Sequence, residues 1–218
     1  MIGLFSDSNG DLGAFDAAFE LLKAKGAKRF FFMGGRYTDL DEWILTRKEK
    51  ARGGRAYTDN DFLADVSNFL GAQEPLARPS AWGAQGEEEN LDRLKEKFVR
   101  TPEKDSLQYM DPAVERKRLD MLGDVLCCLV HDKNDLTRED LLNAQVFIHG
   151  KESEPKVVQI GPRYFVTCGS LTGAAEQTCA VLDPANKALH FSAFTLDGRT
   201  LVDRQALTLG ARTKLSVK

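Results

Sequence analysis

Few side chains in this sequence are equipped for chemistry. It holds three histidines, His131, His149 and His190, and four cysteines, Cys127, Cys128, Cys168 and Cys179. Three histidines are a thin supply for a multi-metal site, and no Cys-x-x-Cys spacing suggests zinc. Neither Gly-x-Ser-x-Gly nor a phosphate-cradling Gly-x-x-x-x-Gly-Lys-Ser/Thr occurs, which sets aside serine-hydrolase and P-loop chemistry. Gly34-Gly35 is too short to argue for a dinucleotide site. What remains is a set of polar clusters, each following an apolar run: Asp7-Ser8-Asn9-Gly10, Gly34-Gly35, His131-Asp132, Gly150-Lys151-Glu152-Ser153 and Cys168-Gly169-Ser170.

The elements that must position these clusters can be read from periodicity. Residues 2–6 form a short apolar run suited to a buried strand. Leu12, Phe15, Phe19 and Leu22 then recur at helical spacing, with Asp11 as N-cap and Gly26 as the stop. Residues 29–33 give a second buried strand. Strand, helix and strand within some 34 residues is a βαβ unit, which implies a parallel sheet. Val125–Val130 is a buried strand ending at His131, followed by a helix capped by Thr137 with Glu139 and Asp140 in its first turn. Val146–Ile148 is another strand. The tail offers strands over 157–160, 164–167, 180–182 and 188–194 and a last one near Leu201. Turns at 183–186 and at Asp197-Gly198 suit hairpins. Parallel strands at the front and hairpins at the back predict a two-sheet α/β sandwich.

From Asp39 to about Asp120 the chain is charged and interrupted by glycine and proline. Helical spacing returns at Phe62, Val66, Phe69 and Leu70, behind Thr58 or Asp59, and again at Leu91, Leu94 and Phe98. This stretch reads as a helical elaboration, over about 39–120, of one domain spanning 1–218. Hydrophobic residues at 42% and charged residues at 29% exclude a wholly disordered chain. A net charge of −3 lacks the basic footprint of a nucleic-acid binder. No basic, apolar leader precedes Asp7 and no run approaches the roughly 18 apolar residues of a membrane span, so a cytoplasmic protein with reduced thiols is expected.

The clusters, in this order and at strand ends, resemble the motifs of the calcineurin-like metallophosphoesterases, in particular the small bacterial phosphodiesterases and the small subunit of retromer. That family opens with a strand ending Asp-x-His-Gly-Asn, then a helix and a strand ending Gly-Asp. A Gly-Asn-x-Asp, a strand ending His-Gly, a strand ending Gly-His-Thr-His and an Asn-Pro-Gly-Ser turn follow. Here the counterparts are Asp7-Ser8-Asn9-Gly10, Gly34-Gly35, His131-Asp132, Gly150-Lys151-Glu152-Ser153 and Cys168-Gly169-Ser170. The resemblance covers most of the chain except about 39–120. It implies the two-sheet sandwich and, in active members, two metal ions that activate water for phosphoester cleavage.

On these positions the ligand set is degenerate. Asp7 and His131 are kept, Asn9 stands for a histidine, Gly35 for the carboxylate that bridges both metals, and Lys151 and Ser153 for the two histidines of the last motif. The Asn loop has its best match at Val99-Arg100-Thr101-Pro102, with proline in place of the amide. His149 misses by one register step. Two divalent cations about 4 Å apart repel strongly without a shared carboxylate, and Lys151 brings a positive charge to the same pocket. No catalytic residue and no cofactor are therefore expected. Residual activity would rest on a single Mn, Fe or Zn ion held by Asp7, Asn9 and His131. The Lys151 ammonium is expected either to pair with Asp7 in a vacated metal position or to remain solvated. The fold would also bring Cys168 and His131 to one rim, as a thiolate–imidazole pair or, more plainly, as a packed cysteine beside a hydrogen-bonded imidazole.

The expectation is a non-catalytic pseudoenzyme that binds another protein as a scaffold component. An anion or nucleotide sensor using Lys151 and Arg36, and a residual phosphodiesterase, are the alternatives. A possible interaction surface is the basic run Arg47, Lys48, Lys50, Arg52 and Arg55, read as a flexible, solvated loop, together with Trp82 in a Pro/Gly-rich stretch.

Overall fold

The computed structural model describes residues 1–34, 36–51, 58–71, 91–185 and 188–209. They fall into two compact units, one formed by Met1–Asp39 with Lys97–Lys218 and the other by Leu40–Glu96.

In the larger unit, β1 (Ile2–Phe5), α1 (Leu12–Ala24) and β2 (Arg29–Phe32) are the expected strand, helix and strand, and β1 pairs parallel with β2 from Ile2↔Arg29 to Phe5↔Phe32. Their near-continuous apolar sequence reflects burial on both faces. Ile2, Leu4, Phe31 and Met33 enter the core between the sheets. The alternate side chains meet α1, with Phe5–Phe15 and Phe19–Phe30 centroids each 4.8 Å apart and Phe15–Phe32 at 5.1 Å. Gly3 permits this approach, since a Cβ there would lie 2.8 Å from the Phe30 ring and 3.0 Å from Leu22. Asp11 caps α1 by accepting from the Ala14 amide at 2.9 Å.

Two strands were absent from the sequence-based layout. Leu91–Lys97 is a 3₁₀ helix, and Phe98 does not extend it but begins β3 (Phe98–Arg100), parallel to β2. Its ring lies 5.1 Å from Phe30 and about 6 Å from Phe5, Phe15 and Phe19, so the aromatic cluster claims it for the sheet. The second is β4 (Lys117–Leu122), an edge strand whose charges stay at the surface, where Asp120 pairs with Arg29 at 2.5 Å. The expected elaboration over 39–120 therefore contracts. Helices α2 (Asp39–Ala51) and α3 (Asp59–Gly71) fall there, whereas β3, the short α4 (Leu107–Met110) and β4 lie in the larger unit.

The remaining strands are β5 (Val125–Val130), β6 (Val146–His149), β7 (Pro155–Ile160), β8 (Arg163–Cys168), β9 (Thr178–Ala185), β10 (Ala188–Thr195) and β11 (Thr200–Leu207). They complete a six-stranded sheet, β11-β10-β9-β1-β2-β3, and a five-stranded sheet, β4-β5-β6-β8-β7. The main core lies between the two, with Cys127, Leu129, Ile148 and Val166 facing Leu4, Phe31, Leu182 and Phe191. Helix α5 (Arg138–Asn143) covers the outside of the second sheet over Cys128 and Phe147. Thr137 and Asp140 form its capping box. This is the predicted two-sheet α/β sandwich. Among the described residues no helix is long and apolar enough to cross a membrane.

Candidate functional site

Loops leaving β1, β2, β5, β6 and β8 meet at one rim of the sandwich, the end where α/β sheets offer their crevice. Backbone bonds tie them together: the Asp7 amide donates to the Gly34 carbonyl at 2.9 Å, and the Leu171 amide to the Ser6 carbonyl at 3.0 Å. Packing there leaves no room for a side chain on Gly34, whose Cβ would sit 1.9 Å from the His131 ring. Asp7, Asn9 and Lys151 all adopt positive φ, at 55°, 46° and 58°. Among the described residues only Arg204 is a further non-glycine case. Left-handed backbone disfavours L side chains and persists where surrounding structure imposes it.

Asp7 is the hub. Its Oδ1 lies 3.1 Å from His131 Nε2, which donates to it. Its Oδ2 accepts the Lys151 backbone N–H at 2.9 Å and lies 3.0 Å from Ser6 Oγ. The single Ser6 hydroxyl proton is shared between that carboxylate and the Gly169 carbonyl at 2.9 Å. The Thr172 hydroxyl donates to the Asp7 carbonyl at 2.5 Å and receives the Asn9 amide at 2.8 Å. His131 is buried at 3% exposure, and its Nδ1 has no hydrogen-bond partner among the described residues.

Asp7, Asn9, His131 and Lys151 thus lie together at this rim. The Lys151 ammonium, however, does not pair with Asp7; its side chain stays about half exposed and meets Asp132. Left-handed backbone turns its N–H to Asp7 and sends its Nζ to Asp132 Oδ2 at 2.7 Å. Burial raises the Asp132 carboxyl, but the Lys151 ammonium and the Asn134 amide outweigh it, and the net shift is downward. The hydrogen bond and charge of Asp132 raise Lys151 in turn. Arg36, the other cation assigned to an anion pocket, lies 3.6 Å from the fully buried Asp39, whose second oxygen accepts from the Ser8 hydroxyl at 2.6 Å and the Gly10 amide at 2.8 Å. Ser153 is exposed in the loop after β6. Gly35 lies outside the described residues.

The other candidates take structural places. Cys168 is fully buried with Sγ against the Gly169 carbonyl, and burial pushes its thiol far above the ordinary range, so it packs and does not form a thiolate. His149 is buried, donates Nδ1–H to the Gly150 carbonyl at 2.9 Å, and is held below its ordinary pKa by burial. His190 lies in β10 opposite Asp183 and Ala206. The basic run is not a loop where described: Arg47, Lys48 and Lys50 lie in α2, with both lysines in its last turn, where cations suit the helix dipole. The Arg47 guanidinium stacks 4.6 Å over the Trp43 ring. Arg52, Arg55 and Trp82 lie outside the described residues.

Sequence reasoning missed Asp132 as a site residue, and with it the pair Lys133–Glu152 at 2.5 Å. A signal was present: Asp132-Lys133 and Lys151-Glu152 carry opposite charge order at two successive strand ends.

These donors do not fit a dinuclear centre. Among the described residues no group of three or more His, Cys, Asp and Glu side chains is placed to hold a metal ion. Asp7 and His131 are the two ligand-type side chains in contact, and the Asp7 carboxylate already accepts from protein donors.

No protein-family model matches the chain, and no curated protein does. Solved structures match across nearly its whole length. They include an uncharacterised predicted phosphoesterase from Streptococcus pneumoniae (14% identity, TM-score 0.51, covering 91% of each chain). Chaetomium thermophilum Vps29 is similar at 10% identity and TM-score 0.54, over 95% of this chain and 97% of that one. Yfce, a phosphoesterase from E. coli, is similar at 17% identity and TM-score 0.53, over 92% and 96%. With the strand order and the converging rim, these likenesses establish that the chain has the fold of the calcineurin-like phosphoesterases.

Proposed function

We propose that this chain is a non-catalytic protein of phosphoesterase fold that binds another protein as a scaffold component. The observation that supports it best is that protein donors already occupy both oxygens of Asp7. In a hydrolytic site that carboxylate would be spent on a metal ion; here it accepts from His131, from the Lys151 amide and from Ser6. The residue at the bridging position, Gly35, has no side chain, and the cation nearest the remaining acidic partner is the Lys151 ammonium on Asp132. We take the helical unit Leu40–Glu96 as an elaboration of one phosphoesterase-like domain, and the retromer small subunit as the functional analogy. Four buried, free cysteines suit a reducing, cytoplasmic compartment.

Three measurements test the reading. Elemental analysis of the purified protein is expected to find no stoichiometric Mn, Fe or Zn, and an aryl phosphodiester is expected to survive incubation with added manganese. Stoichiometric metal, with hydrolysis lost in Asp7→Ala, would establish the residual phosphodiesterase instead. Affinity capture from lysate is expected to return a partner protein. Lys48→Glu/Lys50→Glu tests whether the end of α2 is part of that surface while leaving the helix in place.

A further inference from the structure

The rim is bridged by charge. Three loops meet there: the turn after β3, the loop after β5 and the loop after β6. Lys151 of the third loop reaches Asp132 of the second at 2.7 Å, and Lys133 of the second reaches Glu152 of the third at 2.5 Å. The two pairs are reciprocal, each loop giving one cation and one anion at adjacent positions. Lys104 of the first loop lies 3.4 Å from Asp135 of the second, and Lys156 at the start of β7 closes on the other Glu152 oxygen at 2.7 Å. The anions are the sheltered members: Asp132, Asp135 and Glu152 side chains are 7%, 11% and 21% exposed, while their lysines are about half exposed.

We propose that these ion pairs form a clasp that holds the Lys151 amide on Asp7 by tying together the loops after β3, β5 and β6, a task for which the rim uses lysine ammoniums and not a bound cation. Lys151 is the joint of the clasp. Its amide is fixed on Asp7, its ammonium on Asp132, and its backbone is kept at a φ of 58° between them. Adjacent to it, Asp132 also receives the Asn134 amide at 2.9 Å, so the loop after β5 is ordered around the same carboxylate. An isolated exposed pair contributes little, but reciprocal pairs sharing loops act as a network. Such a clasp weakens as salt screens it, which makes the geometry of the rim sensitive to ionic strength.

The clasp lies at the rim whose occupied Asp7 supports the non-catalytic reading, but it does not require a partner and its test is separate. Hydrogen exchange of the Lys151 amide in the full-length protein reports the Asp7 contact. Asp132→Asn keeps an acceptor for Asn134 and removes the charge; Lys151→Met keeps the amide and removes the ammonium. Each is expected to speed that exchange about 2- to 5-fold, the range set by an exposed pair, and the double variant no further. In the unaltered protein 0.5 M NaCl should do the same, in the double variant less, since only the Lys133–Glu152, Lys156–Glu152 and Lys104–Asp135 pairs remain to be screened, and EDTA nothing in either. Core amides of β6 should keep their rates. Unchanged exchange in the single variants, additive effects in the double, acceleration by EDTA, or equal acceleration in β6 would each overturn the clasp. None of these results bears on partner capture, so the two readings fail separately.

Discussion

Lys151 concentrates the tension at this rim, because its backbone and its side chain serve different partners. A non-glycine residue in left-handed conformation is strained by about 1–2 kcal/mol, and at 151 that strain accompanies the amide bond to Asp7 and the ion pair with Asp132. Substitutions can separate the two contributions. Lys151→Met loses the ammonium and keeps the strain; Lys151→Gly loses the ammonium and releases it. A difference of about 1 kcal/mol in a domain of this size moves the melting temperature by roughly 2–4 °C, so Lys151→Gly is expected to melt that much above Lys151→Met. Equal melting of the two variants would mean that the positive φ stores nothing. The same residue explains why part of the site escaped sequence reasoning. Motif order places Lys151 beside Asp7 and His131, but the direction of its side chain follows from a φ that a lysine does not ordinarily adopt.

Elements with strong local periodicity were legible, and elements recruited by distant contacts were not. The βαβ start could be read because Leu12, Phe15, Phe19 and Leu22 mark one helix face and the flanking strands are apolar throughout. The capped α5 could be read because Thr137, Glu139 and Asp140 signal its start. By contrast, β3 is three residues long, and Phe98 falls at a helical interval from Leu91 and Leu94. Only the cluster of Phe5, Phe15, Phe19 and Phe30, far away in sequence, decides that it is a strand. Phe98→Ala is therefore expected to destabilise the protein by about 2–4 kcal/mol, toward the low side of core Phe→Ala losses because Phe98 is only half-buried. Denaturant unfolding measures this. A loss below about 1 kcal/mol would mean that β3 pairs with β2 without help from its ring. Edge strand β4 was hidden for a different reason: Lys117, Arg118 and Asp120 obscure the alternation, and each has an acidic or basic partner outside the strand.

At the scale of the molecule, 33 acidic and 30 basic side chains nearly cancel, and several carboxyls are held below their ordinary pKa by partners on other elements. Glu152 is held near a pKa of about 2, from an ordinary 4.5, by hydrogen bonds from Lys133 and then Lys156. Asp140 is also lowered: burial acts upward, but the Lys117 ammonium and the Thr137 cap outweigh it. A carboxyl whose pKa is lower folded than unfolded binds fewer protons in the native state. Its contribution is complete above the unfolded value and is lost as pH falls through the folded one. For Glu152 the window runs from about pH 4.5 down to about 2. The melting temperature is thus expected to hold on acidification to about pH 4.5 and then fall. In Glu152→Gln it should start lower and fall less steeply across that window, and 1 M salt should reduce the difference between the two proteins. A slope unchanged by Glu152→Gln would remove Lys133 and Lys156 as the cause of the shift. Because the rim loops carry Glu152 and Asp132 while Asp140 anchors α5 to β4, acid releases ties between elements while the apolar core between the sheets stays chemically unchanged. The loss is therefore expected first as faster exchange in the loops after β5 and β6, with the central strands β1, β5 and β6 following only at lower pH.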